Sequence, residues 1–108
     1  MKITEFLGRD GHSPFQDWFD HLDTQAAAKV TTAITRMGQG NMSGVKSVGG
    51  GLYERKIDFG PGYRIYFGKD GDRIIILIGG GTKRHQSKDI QTAKDRWSEY
   101  KKRKKEGD

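Results

Sequence analysis

Leu52-Tyr53-Glu54-Arg55-Lys56-Ile57-Asp58-Phe59-Gly60-Pro61-Gly62-Tyr63-Arg64-Ile65-Tyr66-Phe67 is the stretch on which the architecture turns. Leu52 to Phe59 alternates, which sets Tyr53, Arg55, Ile57 and Phe59 on one face of a strand and Leu52, Glu54, Lys56 and Asp58 on the other. Gly60-Pro61-Gly62 is a tight connection, after which Tyr63, Ile65 and Phe67 alternate with Arg64 and Tyr66. Asp70-Gly71 signals a hairpin, and Ile74-Ile75-Ile76-Leu77-Ile78 has the continuous apolar character of a central strand buried on both faces. These segments define three antiparallel strands.

Upstream, Ser13 is placed to cap a helix with Pro14 at its first position and Gln16 reaching back to complete a capping box. Phe15, Trp18, Phe19 and Leu22 form its apolar face, a spacing that suits the cover of a sheet. Asp23 or Thr24 caps a second helix, with Ala27, Val30, Ile34 and Met37 at helical spacing until Gly38 and Gly40 end it. Residues 38–51 are rich in Gly, Ser and Asn and read as a mobile loop carrying Lys46 toward the sheet. Downstream, Ile90, Ala93, Trp97 and Tyr100 form the inner stripe of a C-terminal helix whose last residues, 101–108, are expected to fray. With a short N-terminal strand, the order is that of an α+β domain: a two-helix hairpin packed on an antiparallel sheet, plus a C-terminal helix.

The 108 residues suit one domain, 1–108, with one modest core. Zero cysteines exclude disulfides and thiolate metal sites, and three histidines without ligand-like spacing give no zinc signature. The start has no signal-peptide core, and no apolar run approaches the roughly 20 residues that span a bilayer. A soluble, cytoplasmic protein without a membrane partner is expected. The formal charge of +6 is concentrated at one end, since residues 83–108 hold ten Lys or Arg against five Asp or Glu. Such a segment attracts polyanions before it selects among them.

Polar chemistry clusters around the sheet. Arg55 shares a face with large apolar groups, either as an edge arginine with a packed stem or as a functional cation. Arg64 alternates with Tyr66, and Lys83, Arg84 and His85 follow the glycine-rich end of the apolar strand. Gly79-Gly80-Gly81-Thr82-Lys83 lacks the order of a nucleotide-binding P-loop, so its glycines read as the release of the chain from the strand or as room for a close backbone approach. No cofactor is required.

Four segments together resemble the RelE/ParE toxin superfamily, in particular its addiction module killer, or HigB-like, branch. They are Pro14-Phe15-Gln16-Asp17-Trp18, Gly51-Leu52-Tyr53-Glu54-Arg55, Gly60-Pro61-Gly62-Tyr63-Arg64-Ile65-Tyr66-Phe67, and Lys83 through Gln86 to Asp89-Ile90. The resemblance spans Pro14 to about Trp97. It implies a RelE-like fold and the toxin half of a bacterial type II toxin–antitoxin pair, cutting messenger RNA in the ribosomal A site by attack of the ribose 2′-hydroxyl without a metal. The alternatives are a ParE-like inhibitor of DNA gyrase and a nucleic-acid-binding remnant that has lost catalysis.

By the same resemblance, Arg64 matches the arginine that contacts the scissile phosphate, and Lys83 stands where the family bears a transition-state-stabilising cation. His85 is a candidate proton donor or acceptor, since imidazole titrates near neutral pH, and Arg55 completes the catalytic candidates. Lys46, Tyr53, Tyr66, Arg84, Lys88 and Lys94 are the candidate RNA-binding residues, with the basic tail steering toward ribosomal RNA. The C-terminal catalytic tyrosine of the better-known RelE pattern has no clear counterpart, because Asp89-Ile90 occupies that region. The implied partners are messenger RNA, ribosomal RNA and a cognate helix-turn-helix antitoxin.

Overall fold

Strand formation begins at the N-terminus, where β1 (Lys2–Glu5) pairs in parallel with β5 (Ile74–Thr82). The computed structural model describes residues 1–107, and the elements between these strands are α1 (Pro14–Asp20), α2 (Thr24–Gly38), β2 (Val45–Gly49), β3 (Leu52–Ile57) and β4 (Tyr63–Asp70). A single 3₁₀ turn (Lys83–His85) then leads into α3 (Gln86–Gly107). The fold class is α+β, as the sequence indicates, and compatible with a RelE-like fold. The sheet has five strands in the order β1-β5-β4-β3-β2, and its β1 edge makes it mixed rather than antiparallel throughout.

Both faces of the sheet are covered. Phe15, Val30, Met37, Ile57, Ile65, Phe67, Ile75 and Leu77 build the core beneath α1 and α2. Leu52, Tyr66, Ile76 and Ile78 meet Ala93 and Trp97 of α3 on the other side. A single helix layer would have left one of these apolar sets in water, so the C-terminal helix completes the sandwich. Among the described residues no helix is long and apolar enough to cross a membrane.

The structure corrects several expectations. The segment read as a mobile loop contains β2, an edge strand paired antiparallel with β3 through Val45↔Arg55 and Lys46↔Glu54. Gly49, Gly50 and Gly51 turn the chain at φ of 94°, 66° and 82°, so the glycines that resemble a loop make a hairpin. The capping box is half formed: Ser13 Oγ accepts from the Gln16 amide at 3.0 Å, whereas the Gln16 side chain donates to Asp20 Oδ1 at 2.7 Å. Asp23 caps α2, and that helix buries Ala26, Val30, Ala33 and Met37, a stripe turned slightly from the expected one. Replacing Ser13 by Ala is expected to lower stability by about 1 kcal/mol in urea unfolding, by orphaning the Gln16 amide.

The tail departs from expectation as well. The helix continues through Gly107 over most of the stretch expected to fray, and Asp108 lies outside the described residues. Several tail side chains bind the body of the protein. Arg103 donates to the Leu7 carbonyl at 2.6 Å, Lys104 pairs with Asp70, and the Tyr100 hydroxyl donates to Asp70 Oδ2 at 2.6 Å. Burial and then this hydrogen bond push the Tyr100 phenol up to about 12.

Because the folded value of Tyr100 lies above the unfolded one, its contribution to stability is complete below about pH 10. It is lost as pH rises through the folded value near 12. Tyrosinate absorbance should therefore show a tyrosine titrating near 12 that Tyr100→Phe removes, distinct from the still later Tyr66, together with a smaller alkaline loss of stability in that variant.

Candidate functional site

Alternation along β3 and β4 places Glu54, Lys56, Arg64 and Tyr66 on the α3 face, with Glu54 opposite Tyr66 and Lys56 opposite Arg64 in register. Glu54 is 1% exposed and Arg64 5%, an exceptional burial for two ionised groups, and each answers the other. Arg64 Nε lies 3.7 Å from Glu54 Oε1, and Lys46 Nζ from the edge strand lies at the same distance. The Gln86 side chain donates to Glu54 Oε2 at 2.8 Å, tying the first residue of α3 to the sheet. Arg64 Nη1 donates to the Gly62 carbonyl at 3.1 Å. The guanidinium is thus tethered by one hydrogen bond and the Glu54 charge, while its Nε is buried without a hydrogen-bond partner among the described residues.

These residues line a groove of about 360 Å³, formed by Lys46, Glu54, Lys56, Arg64 and Gln86 with the Gly44–Val45 backbone. Lys83 stands beside it, since its amide donates to the Gly62 carbonyl at 2.9 Å. A Cβ at Gly62 would lie 3.4 Å from Arg64 Nη1 and 3.6 Å from Lys83 Cβ, so Gly62, at φ 80°, keeps these two cations in one corner. Cations outnumber the single buried carboxylate here, which makes the groove suited to an anion.

Of the sequence-derived candidates, Arg64 and Lys46 line the groove, and Lys83, exposed, reaches its edge through its backbone amide and Cβ. Arg84, His85 and Lys88 are exposed on the 3₁₀ turn and the first turn of α3. Lys94 lies farther along α3, where a Cβ at Gly49 would meet its Nζ at 3.4 Å. Arg55 and Tyr53 are on the opposite face of the sheet from Arg64. Tyr53 stacks on Phe67 with centroids 5.6 Å apart, and Lys69 Nζ sits 4.6 Å from its ring centroid. The alternation that puts Glu54 in the groove necessarily puts Tyr53 and Arg55 outside it.

Tyr66 shares the Arg64 face but is 1% exposed, beneath α3. Burial, followed by the negative charges of Glu54 and Asp89, raises its phenol far above the ordinary range. It is a neutral group at physiological pH, in a cavity of about 150 Å³ also lined by Trp18, Asp89 and Arg96. Burial raises the Asp89 carboxyl, with His85, Lys88 and Arg96 pulling the other way, so His85 is within electrostatic reach of an acid.

The strand glycines have a different use from the one expected. β5 does not end at Ile78 but runs to Thr82, pairing Gly79, Gly80 and Gly81 with Tyr66, Ile65 and Arg64. A register shift at Tyr66/Phe67 leaves Ile78 and Gly79 in succession on the α3 face. A Cβ at Gly79 would lie 2.9 Å from Arg96 Nη1, and Cβ atoms at Gly80 and Gly81 would overlap the Trp18 ring and the Asp89 carboxylate. The glycines admit the side chains of α1 and α3 onto the sheet.

Glu54, Lys56 and Gln86 are the polar groove residues that sequence reasoning did not single out as functional. A signal was present: Glu54 shares its face with Leu52, and an acid flanked by a buried leucine must find a counter-charge.

Fold and groove together define a small basic α+β protein with a cation-lined groove mounted on its sheet. The chain belongs to the family described as phage derived protein Gp49-like (DUF891), whose model matches residues 17–98. This family lies within the RelE/toxin-type superfamily and is associated with toxin function. The chain is also similar to an uncharacterized protein of Haemophilus influenzae, 41% identical over 81 residues, or 74% of this chain and 82% of the relative.

Proposed function

We propose that the protein is the toxin of a type II toxin–antitoxin pair and acts as a ribosome-dependent endonuclease on messenger RNA. Family membership supports the toxin part. The observation that carries the chemistry is the Arg64 guanidinium, fixed between the Gly62 carbonyl and the Glu54 carboxylate in a cation-lined groove. A preorganised guanidinium offers parallel N–H donors to two phosphate oxygens and needs no reorganisation as charge builds.

In this reading the 2′-oxygen attacks phosphorus while its proton passes to a base, and the P–O5′ bond breaks as the 5′-oxygen gains a proton. The products are a 2′,3′-cyclic phosphate and a 5′-hydroxyl. Arg64 and Lys83 stabilise the added negative charge, Lys46 holds the flanking backbone, and His85 exchanges a proton. Glu54 is a positioning residue. A cognate antitoxin, of the helix-turn-helix class in the HigB-like branch, restrains the activity, and its acids would find these cations by electrostatic steering.

The test is induced expression in a bacterial host with primer-extension mapping of translated messages. New 5′ ends that vanish when translation is blocked are expected. Growth arrest without new ends, accompanied by DNA breaks or altered supercoiling, would replace this reading with gyrase inhibition.

A further inference from the structure

Arg55 is left without a role by the groove on the α3 face. Its guanidinium packs against Gly44 and donates to the Lys56 carbonyl, while its Nε is buried with no hydrogen-bond partner among the described residues. Two exposed cations of α2, Lys29 and Arg36, lie two helical turns apart on one stripe and share with Arg55 a cavity of about 200 Å³. Asp58, the one acid in its lining, has an 84% exposed side chain and is paired with Lys56 at 3.3 Å. Burial and then the charge of Arg36 depress the Arg55 pKa. An arginine nevertheless remains charged, and within the protein the repulsion is offset only in part, by the exposed Asp58.

We propose that this pocket between α2 and β3 is a second anion site, taking a backbone phosphate of RNA. The inference rests on the RNA-directed reading above and extends it to a surface that does no chemistry. Two guanidiniums and an ammonium, the latter 5.4 Å from the Phe59 ring centroid, line a small cavity, and such a donor set suits phosphate oxygens. A protein partner would need an apolar anchor, because interface energy concentrates in buried aromatic and aliphatic groups. The large hydrophobic side chains exposed among the described residues are Met1 and Leu7, and neither lines this pocket. Since Arg55 and Arg64 point to opposite faces of the sheet, a phosphate at Arg55 belongs to a different part of the RNA from one at the cleavage groove.

The experiment uses the full chain and an RNA hairpin with 2′-O-methyl sugars, which cannot be cut. Binding is measured against salt for the wild type and for Lys29→Gln/Arg36→Gln, whose two positions are exposed and outside the core. A matching thermal midpoint establishes that the variant folds. Each lost phosphate contact should lower the slope of log affinity against log salt by about 0.7–0.9. In the wild type the Arg55 Nε–Hε resonance should shift on addition of the RNA and of inorganic phosphate, and the variant should lose that shift.

An unchanged slope with a silent Arg55 resonance would overturn the proposal. A shift produced by a polyglutamate peptide but not by RNA would overturn it too, in favour of an acidic protein. Cleavage of translated messages by the wild type is scored separately. A protein that never cuts, yet loses slope in the variant, refutes the nuclease reading and leaves the second anion site standing.

Discussion

Arg64→Ala is expected to lower message cleavage by about two to three orders of magnitude, the loss typical of removing a preorganised donor aimed at a developing oxyanion. The same change withdraws the partner of a carboxylate that is 1% exposed. Breaking a buried ion pair costs roughly 3–5 kcal/mol, and Lys46 and Gln86, which still contact Glu54, should hold the loss toward the lower end. Activity and stability must therefore be separated. Arg64→Gln combined with Glu54→Gln removes both charges, so urea unfolding should recover toward the wild type while cleavage stays absent. Arg64→Lys keeps the charge but not the planar fork, and a fall of about tenfold or more is expected from the lost bidentate geometry. Wild-type cleavage by Arg64→Lys, measured by primer extension, would show that the guanidinium geometry does not contribute.

Gly80→Ala is expected to destabilise the fold by about 1–3 kcal/mol, the usual penalty for overfilling a packed site. For a domain of this size each kcal/mol corresponds to about 4–8 °C in melting temperature. Gly80 has no positive φ, so its backbone tolerates alanine and the effect isolates packing. A Cβ there meets the six-membered ring of Trp18, and that ring cannot easily withdraw. Phe15 lies 5.8 Å away on one side and Tyr63 6.4 Å on another, measured between centroids. Adding Trp18→Leu should recover part of the loss, because two residues in contact are not additive. Equal destabilisation in the presence and absence of Trp18 would place the strain elsewhere.

Much of this architecture is legible in the chain because its signals are local. Alternation in β3 and β4, the apolar run of β5, and the helical stripes ending at Met37 and Trp97 each follow from the period of one element. What escapes is the consequence of pairing. β2 looks like a loop because its residues are exposed or half-buried and its end is glycine, and only the ladder to β3 makes it a strand. The parallel partner of β1 lies far along the chain, and no local pattern names it. The site divides in the same way. Arg64 and Lys83 are visible as motif residues, whereas the partnership of Glu54 with Lys46 and Gln86 joins three elements. Arg55, a catalytic candidate, and Tyr53, an RNA-binding one, lie on the face away from Arg64 because strand parity separates them from it.

The parallel edge formed by β1 sets an order of assembly. Lys2 to Glu5 are synthesised long before their hydrogen-bonding partners, Ile74 to Leu77. At a synthesis rate of roughly 5–20 residues per second, this first segment waits several seconds for its neighbour. Gln86, which fastens α3 to Glu54, arrives later still. The groove is therefore finished only once Gln86 and the helix it opens have been made. Until then Glu54 lacks the α3 contact that completes the proposed site.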